Sequence, residues 1–263
     1  MKSMIFSLAV VAVIVYVCFC LYLYLFQRSF IYFPTAVAEG IAAEEIWITN
    51  EQERIRIWRL HPSRSNAIVY FGGNAEDVSH NVGQFGNWFP EHTVYLVNYR
   101  GYGGSSGSPG EAAFYNDAEA VFDFVAEKHA DISLIGRSLG AAIAVYLAAR
   151  RDVERLALVT PFDSLRSLAR TFYPIFPTSL LLKDVYDAAE MATRVRAPAL
   201  VLVAEHDEII PRQSSERLAD ALGGPRVIRF VKGTGHNTIG ASSDYGRALR
   251  EFMAVQPDRV PSR

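Results

Sequence analysis

Cysteine is almost missing. The 263-residue chain has two, Cys18 and Cys20, and both sit in an apolar stretch at the N-terminus. The remainder therefore offers no thiol for a disulfide, a cysteine nucleophile or a cysteine-ligated metal. The six histidines are scattered singly, with no pair at zinc-ligand spacing, so the expected metal and cofactor content is none. No basic run occurs and the net charge is -2, which sets nucleic acid aside as a partner. What is present in quantity is apolar: 50% hydrophobic against 21% charged. That suits one globular domain of ordinary α/β size plus one additional apolar segment.

The additional segment is residues 4–26, long enough as a helix to cross a hydrocarbon core of about 30 Å. Tyr16, Tyr22 and Tyr24 suit an interface, and Arg28 follows. A cleaved signal peptide has a shorter apolar region, about 7–15 residues, and a small-x-small site. Leu23-Tyr24-Leu25-Phe26 is no such site, so the expectation is an uncleaved signal anchor over residues 1–28. Cys18 and Cys20 lack the preceding small residues that lipoprotein processing needs. Lys2 and the α-amino group on one side, against Arg28 on the other, slightly favour an N-terminus in the cytosol with the following domain outside it. Residues 29–45 hold Pro34 and Gly40 in no clear period and read as a stalk.

The rest is organised around Gly136-Arg137-Ser138-Leu139-Gly140. A short apolar run, 132–135, leads into it and an Ala-rich helical run, 141–151, leaves it. Strand, Gly-x-Ser-x-Gly and helix in that order describe the nucleophile elbow of an α/β-hydrolase. The glycines are needed where side chains would collide with the neighbouring strand and helix, and the helix aims its N-terminal N–H groups at the serine hydroxyl. The competing reading is a tight turn that happens to hold a serine.

Two strands, 46–49 and 54–60, precede the elbow, joined by a hairpin turn at 50–53. The second alternates apolar and charged residues as an edge strand with one solvated face would. Ala67-Ile68-Val69-Tyr70-Phe71 reads as a strand buried on both faces. It empties into Gly72-Gly73-Asn74-Ala75-Glu76-Asp77. In the elbow fold this loop supplies the second oxyanion donor. The backbone N–H groups of Asn74 and Leu139 are the expected pair, with Gly73 lining the site. Asp77 reads as the N-cap of a helix running to about Phe89.

After the strand 93–97 comes Asn98-Tyr99-Arg100-Gly101-Tyr102-Gly103-Gly104-Ser105-Ser106-Gly107-Ser108-Pro109-Gly110. Gly-x-Gly-x-x-Gly spacing fails here, because Ser106 stands where the third glycine belongs, and the helix starts only near Glu111. A dinucleotide is therefore not expected. Tyr102 is a candidate for lining the site.

Three stretches together carry a resemblance: Gly-Gly-Asn-Ala after one strand, Asn-Tyr-Arg-Gly-Tyr-Gly-x-Ser-x-Gly-x-Pro after the next, and Gly-Arg-Ser-Leu-Gly. From about Ile46 to Phe252 the chain resembles the Bem46-like branch of the α/β-hydrolase superfamily, which also holds mammalian abhydrolase-domain proteins. Much of that branch reads His-Gly-Asn in the first loop. Gly72 stands in place of the histidine, which leaves the backbone donor intact but removes a side chain that would order the loop. The resemblance implies an N-terminal membrane anchor and hydrolysis of lipid esters or thioesters.

Residues 114–128 form an amphipathic helix packed through Phe114, Val121, Phe122 and Val125, with Asn116, Asp117, Glu119 and Asp123 expected in solvent. The strand 155–161 ends at Asp163, a candidate acid that reads better as an N-cap of the next helix. The irregular stretch 165–186 stands where the fold carries its cap. It is too short for a large lid, so an open site is expected. Its aromatics suit an acyl chain, the bilayer beside the anchor, or packing on the domain. After the strand 198–204, Asp207 lies on the turn; the order Ser, Asp, His is the one this fold uses. Glu205 and Glu208 are rivals by composition, and the resemblance of Asp-Glu-Ile-Ile-Pro to the family's acid turn selects Asp207. His206 reads as a loop residue. After the last strand, 227–231, His236 occupies the Gly-flanked loop where the family's histidine sits, ahead of a final helix from about 242 to 252. His61, His80, His92 and His129 read as surface residues.

The expected architecture is thus an α/β-hydrolase fold: a mostly parallel eight-stranded sheet over 46–255, helices on both faces, a small cap, one N-terminal transmembrane helix ahead and a flexible tail at 256–263. The expected function is a membrane-anchored serine hydrolase cleaving a carboxylic ester or thioester, an acyl lipid among the candidates, through Ser138, His236 and Asp207. A peptidase or amidase with the same three residues, and a non-catalytic binding protein on the same fold, are the alternatives.

Overall fold

A computed structural model describes residues 1–254; the expected tail at 256–263 lies outside the described residues. The chain opens with α1 (Lys2–Ile31), then β1 (Glu44–Asn50), β2 (Glu53–Leu60) and β3 (Asn66–Phe71). A short 3-10 turn precedes α2 (Val82–Trp88), β4 (His92–Val97), α3 (Glu111–Ala126), β5 (Ile132–Arg137) and α4 (Leu139–Ala148). Then come β6 (Leu156–Val159), α5 (Leu165–Phe172), α6 (Thr178–Leu181), α7 (Ala188–Ala192), β7 (Ala199–Ala204), α8 (Arg212–Ala221), β8 (Arg226–Val231) and α9 (Ser243–Ala254).

The sheet runs in the order β1-β2-β4-β3-β5-β6-β7-β8. β1–β2 and β2–β4 are antiparallel and the remaining pairs parallel. The continuous apolar runs of β3, β5, β6 and β7 follow from burial on both faces. One core packs β3 and β5 against α3 and α4 through Val121, Phe122, Ile143 and Leu147. The other packs the opposite face against α2 and α9 through Phe85, Phe89, Leu249 and Met253. Helix α4 is apolar on all sides because it is buried on nearly all sides.

Several local expectations change. β2 is not the edge; β1 is. The alternating arginine Arg56 is buried because Gly103 O accepts from it at 3.1 Å, Glu45 pairs with it at 3.0 Å and the Trp58 ring lies 4.2 Å beneath it. Asp117 is buried rather than solvated: it accepts both arms of Arg100, at 2.9 and 2.6 Å, and the Asn50 amide at 2.8 Å. His129 is buried as well, between the Tyr95 hydroxyl at 2.9 Å and the Ser65 carbonyl at 3.0 Å. Residues 29–45 do not hang free as a stalk. Helix α1 continues to Ile31, and Tyr32 is 3% exposed, with its hydroxyl 2.8 Å from that of Tyr186.

Candidate active site

The elbow forms where β5 ends and α4 begins, with Ser138 the single residue between them. Its φ of 50° with ψ of -112° lies where a side-chain-bearing residue is strained. Surrounding packing holds it there: Ser138 N donates to Val159 O at 2.8 Å. A Cβ on Gly136 would stand 2.3 Å from Gly140 O, and one on Gly140 would stand 2.1 Å from Phe71 O. Backbone meets backbone at both glycines, so no other residue fits.

Three loops at the C-terminal ends of β5, β7 and β8 bring the polar groups together. His236 Nε2 lies 3.1 Å from Ser138 Oγ. His236 Nδ1 lies 2.9 Å from Asp207 Oδ2 and 3.1 Å from Oδ1. Asp207 Oδ1 also accepts from the N–H groups of Ile209 at 3.0 Å and Ile210 at 2.7 Å, which orient the carboxylate. The side chains of His236 and Asp207 are 6% and 3% exposed. A serine hydroxyl, an imidazole and a buried carboxylate in line can move a proton off the hydroxyl and steady the imidazolium that results.

The rival acids are elsewhere. Glu208 accepts from His236 N at 3.1 Å and Glu205 from Gly233 N at 2.8 Å; both shape the histidine loop rather than face its ring. Asp163 sits beside α8, where Ser214 Oγ donates to it at 2.5 Å and Arg217 at 2.8 Å. Burial opposes its charge, yet Arg217 and Ser214 hold the carboxyl below its ordinary range. Asp163 is not the N-cap of α5 either: Ser164 caps it, accepting from Ser167 N at 3.0 Å. Asp77 caps only the 3-10 turn Val78–Asn81, accepting from Ser79 N at 3.0 Å; the expected helix to Phe89 is split there, and α2 starts after Asn81. His206 is exposed on its loop.

Asn74 and Leu139 both line the cavity beside Ser138, as does Gly73. Leu139 opens α4, so its N–H heads the helix. Tyr102 does not line that cavity. It is buried behind the loop, where its hydroxyl donates to Asn74 Oδ1 at 2.8 Å and accepts from Phe33 N at 3.0 Å. Burial pushes its pKa up to about 12, so it stays a donor.

Sequence reasoning missed Glu76 and Arg137. Glu76 accepts from Gly73 N at 2.7 Å, Tyr70 Oη at 2.5 Å, Asn81 Nδ2 at 2.7 Å and Arg137 Nη1 at 3.0 Å. Arg137 Nη2 donates to His236 O at 3.2 Å. One ion pair therefore joins the glycine loop, the elbow and the histidine loop. The ordering that Gly72 cannot supply comes from here and from Tyr99, whose hydroxyl donates to Gly72 O at 2.6 Å. A charged residue inside the elbow pentapeptide was the available signal.

Above these groups lies a cavity of about 1110 Å³. The cap, α5 and α6, covers one side with Phe172, Tyr173 and Phe176. The side such a short cap leaves uncovered is walled by α1, through Phe19, Leu23 and Phe30. The expected openness is reduced for that reason.

The chain matches the family model described as Alpha/beta hydrolase family over residues 72–197. An uncharacterized protein of Mycobacterium tuberculosis is 34% identical over 256 residues, which cover 88% of each chain. The bem46 protein of Schizosaccharomyces pombe is 25% identical over 76% of this chain and 71% of its own. The lysophosphatidylserine lipase of Mus musculus is 30% identical over 81% of this chain and 63% of its own. Among solved structures, an esterase of Pyrococcus furiosus superposes with a TM-score of 0.67 at 13% identity, covering 84% of this chain and 97% of the esterase. At that identity the likeness speaks for the fold alone.

Proposed function

We propose that this chain, which belongs to the alpha/beta hydrolase family in its Bem46-like branch, is a membrane-anchored serine hydrolase that cleaves a carboxylic ester or thioester. The observation carrying the proposal is the hydrogen-bonded line Ser138 Oγ, His236 Nε2 and Nδ1, Asp207 Oδ2 at 3.1 and 2.9 Å. Ser138 attacks the acyl carbon as His236 takes its proton. Asp207 keeps the imidazole in the tautomer with Nδ1–H and stabilises its cation. The N–H groups of Asn74 and Leu139 meet the developing oxyanion, where each preset donor is worth a few kcal/mol of barrier. His236 returns the proton to the leaving group. It then activates the water that releases the acyl-enzyme.

The anchor is the 30-residue α1, whose apolar side chains are largely bare in the isolated chain. A helix of that length and composition is stable with such surface only in lipid or against another protein. We place the hydrolase domain outside the cytosol on the charge asymmetry about α1. The apolar walls of the cavity and the lipase among the relatives support a substrate with an acyl chain. The test is labelling by a fluorophosphonate probe with Ser138→Ala as control. Labelling lost in Ser138→Ala supports an activated serine. A folded wild-type protein that takes no label, in detergent or in vesicles, sinks the hydrolase mechanism and favours a binding role.

A further inference from the structure

We infer that the cap is immersed in the same leaflet as the second half of α1, and that the acyl chain enters the cavity sideways from that leaflet. The inference rests on the anchor reading above, and not on the serine chemistry.

It comes first from lengths. The cap holds α1 along a stretch from Tyr16 to Asp184's partner Arg28. Tyr16 Oη donates to Ile175 O at 2.7 Å, and the rings of Tyr16 and Phe19 lie 6.1 and 5.6 Å from that of Phe176. Lower down, Gln27, the one buried polar side chain of α1, donates to Leu181 O at 2.9 Å and accepts from Lys183 N at 2.7 Å. Arg28 pairs with Asp184 at 2.9 Å. The part of α1 clear of the cap, from Lys2 to Val15, rises only about 21 Å at 1.5 Å per residue. A hydrocarbon core is about 30 Å thick. To cross it, α1 must carry the level of Tyr16 to about Leu23 into lipid, and the cap at that level goes with it. Measured from Leu23 to Tyr16, the immersion is about 10 Å.

The cap is made for that depth. Residues 171–182 contain no charged side chain and are bracketed by Arg170 and Lys183. Ile175 is 73% exposed and Leu180 79%, with Phe172 and Tyr173 also exposed. Lys183 Nζ sits 4.1 Å from the Tyr24 ring, which puts an aromatic and two cations, Lys183 and Arg28, at the level where headgroups begin. Apolar surface this large has no intramolecular partner among the described residues, and it is continuous with the bare face of α1. The cavity runs between the two, from Ser138 out past Phe30 and Leu23 to Phe19 and Phe176. Its outer rim thus lies below the headgroup level, in the acyl layer. A substrate whose chain stays in the bilayer reaches the serine without leaving lipid.

The test uses the full-length protein in phosphatidylcholine vesicles, with and without mid-chain bromination, and tryptophan as a reporter. Read as the difference from wild type, which already carries Trp47, Trp58 and Trp88, Ile175→Trp reports the cap and Val11→Trp the middle of the lipid-crossing part of α1. Quenching of both by brominated chains is expected. Quenching of Val11→Trp alone, with Ile175→Trp open to aqueous acrylamide or shielded from both quenchers by a second copy, overturns the immersion while leaving the anchor. Quenching of neither overturns the anchor and the inference together. Ile175→Asp combined with Leu180→Asp then reads the route. The ratio of activity on a long-chain ester held in vesicles to activity on a soluble short-chain ester is expected to fall at least tenfold. An unchanged ratio overturns lateral entry. If the serine mechanism is wrong, wild type hydrolyses neither ester while the quenching result stands.

Discussion

The side-chain amide of Asn74 donates to the carbonyl of Ile31 at 2.6 Å, fastening the loop beside Ser138 to the last residue of the N-terminal helix. The other end of the same amide accepts from Phe33 N at 3.2 Å and from Tyr102. Asn74→Ala keeps the backbone N–H but frees the loop. We expect kcat to fall about tenfold, near 1.4 kcal/mol of barrier, with little change in Tm. Steady-state rates on a short ester check this; an unaltered kcat means the latch does not position the donor.

Two carboxylates distinguish the acid. Asp207→Asn keeps an oxygen for the turn N–H groups of Ile209 and Ile210 but no longer favours the right imidazole tautomer. Its kcat should drop about a thousandfold or more while the protein stays folded. Asp163→Asn should leave fluorophosphonate labelling intact, since Asp163 faces Arg217 and Ser214. The reverse pattern would falsify the assignment of Asp207.

Asp163 also sets a pH dependence of stability. Its folded pKa is lowered, so between that value and the unfolded value near 3.9 the unfolded chain binds more protons. The stabilisation is therefore complete above about pH 4 and is lost as pH falls through the folded value. Asp163→Asn should be less stable than wild type at pH 7, and the gap should close toward pH 3. Denaturation midpoints across that range measure it; a constant gap rules out the ion pair as the source.

Glu76 and Arg137 form a mostly buried ion pair with exposures of 11% and 20%. Glu76→Ala leaves the guanidinium without its counter-charge and Gly73 N without its acceptor. A loss of about 3 kcal/mol is expected. The double variant Glu76→Ala with Arg137→Met should be less destabilised than the sum of the single changes, because no unpaired charge stays buried. Additive losses would mean the two groups are not coupled.

Glycine positions separate by what surrounds them. Gly136→Ala and Gly140→Ala drive a Cβ into backbone at 2.3 and 2.1 Å, and neither should give a folded protein at 37 °C. Gly83→Ala, in α2 with open space around it, should instead stabilise by about 0.5–1 kcal/mol. Thermal melts of all three, in one detergent, make the comparison.

Much of the fold was legible because its signals are contiguous. Buried strands announce themselves as apolar runs, and the elbow as glycines flanking a serine between strand and helix. The edge assignment of β2 failed because alternation cannot tell a solvated arginine from one supported by Gly103, Glu45 and Trp58. Asp117 and His129 were misread for the same reason: their partners, Arg100 and Tyr95, lie elsewhere in the chain. Tyr102 was near the site, as expected, but on the far side of the loop.

By itself the sequence determined which segments become strands, where the elbow turns and that α1 is apolar enough to cross a membrane, since each depends on neighbours along the chain. The sequence also pointed to Asp207 as the acid; the tertiary structure sets its carboxylate 2.9 Å from His236 and turns Asp163 toward Ser214 and Arg217 instead. Tertiary structure alone decided that Glu76 and Arg137 tie three loops together, and that α1, the candidate membrane span, also walls the cavity. These depend on contacts between residues such as Asn74 and Ile31, 43 positions apart, or Ser138 and His236, 98 apart. No local preference encodes such distances; they exist only once the sheet has set its strand order and brought the loop ends to one edge.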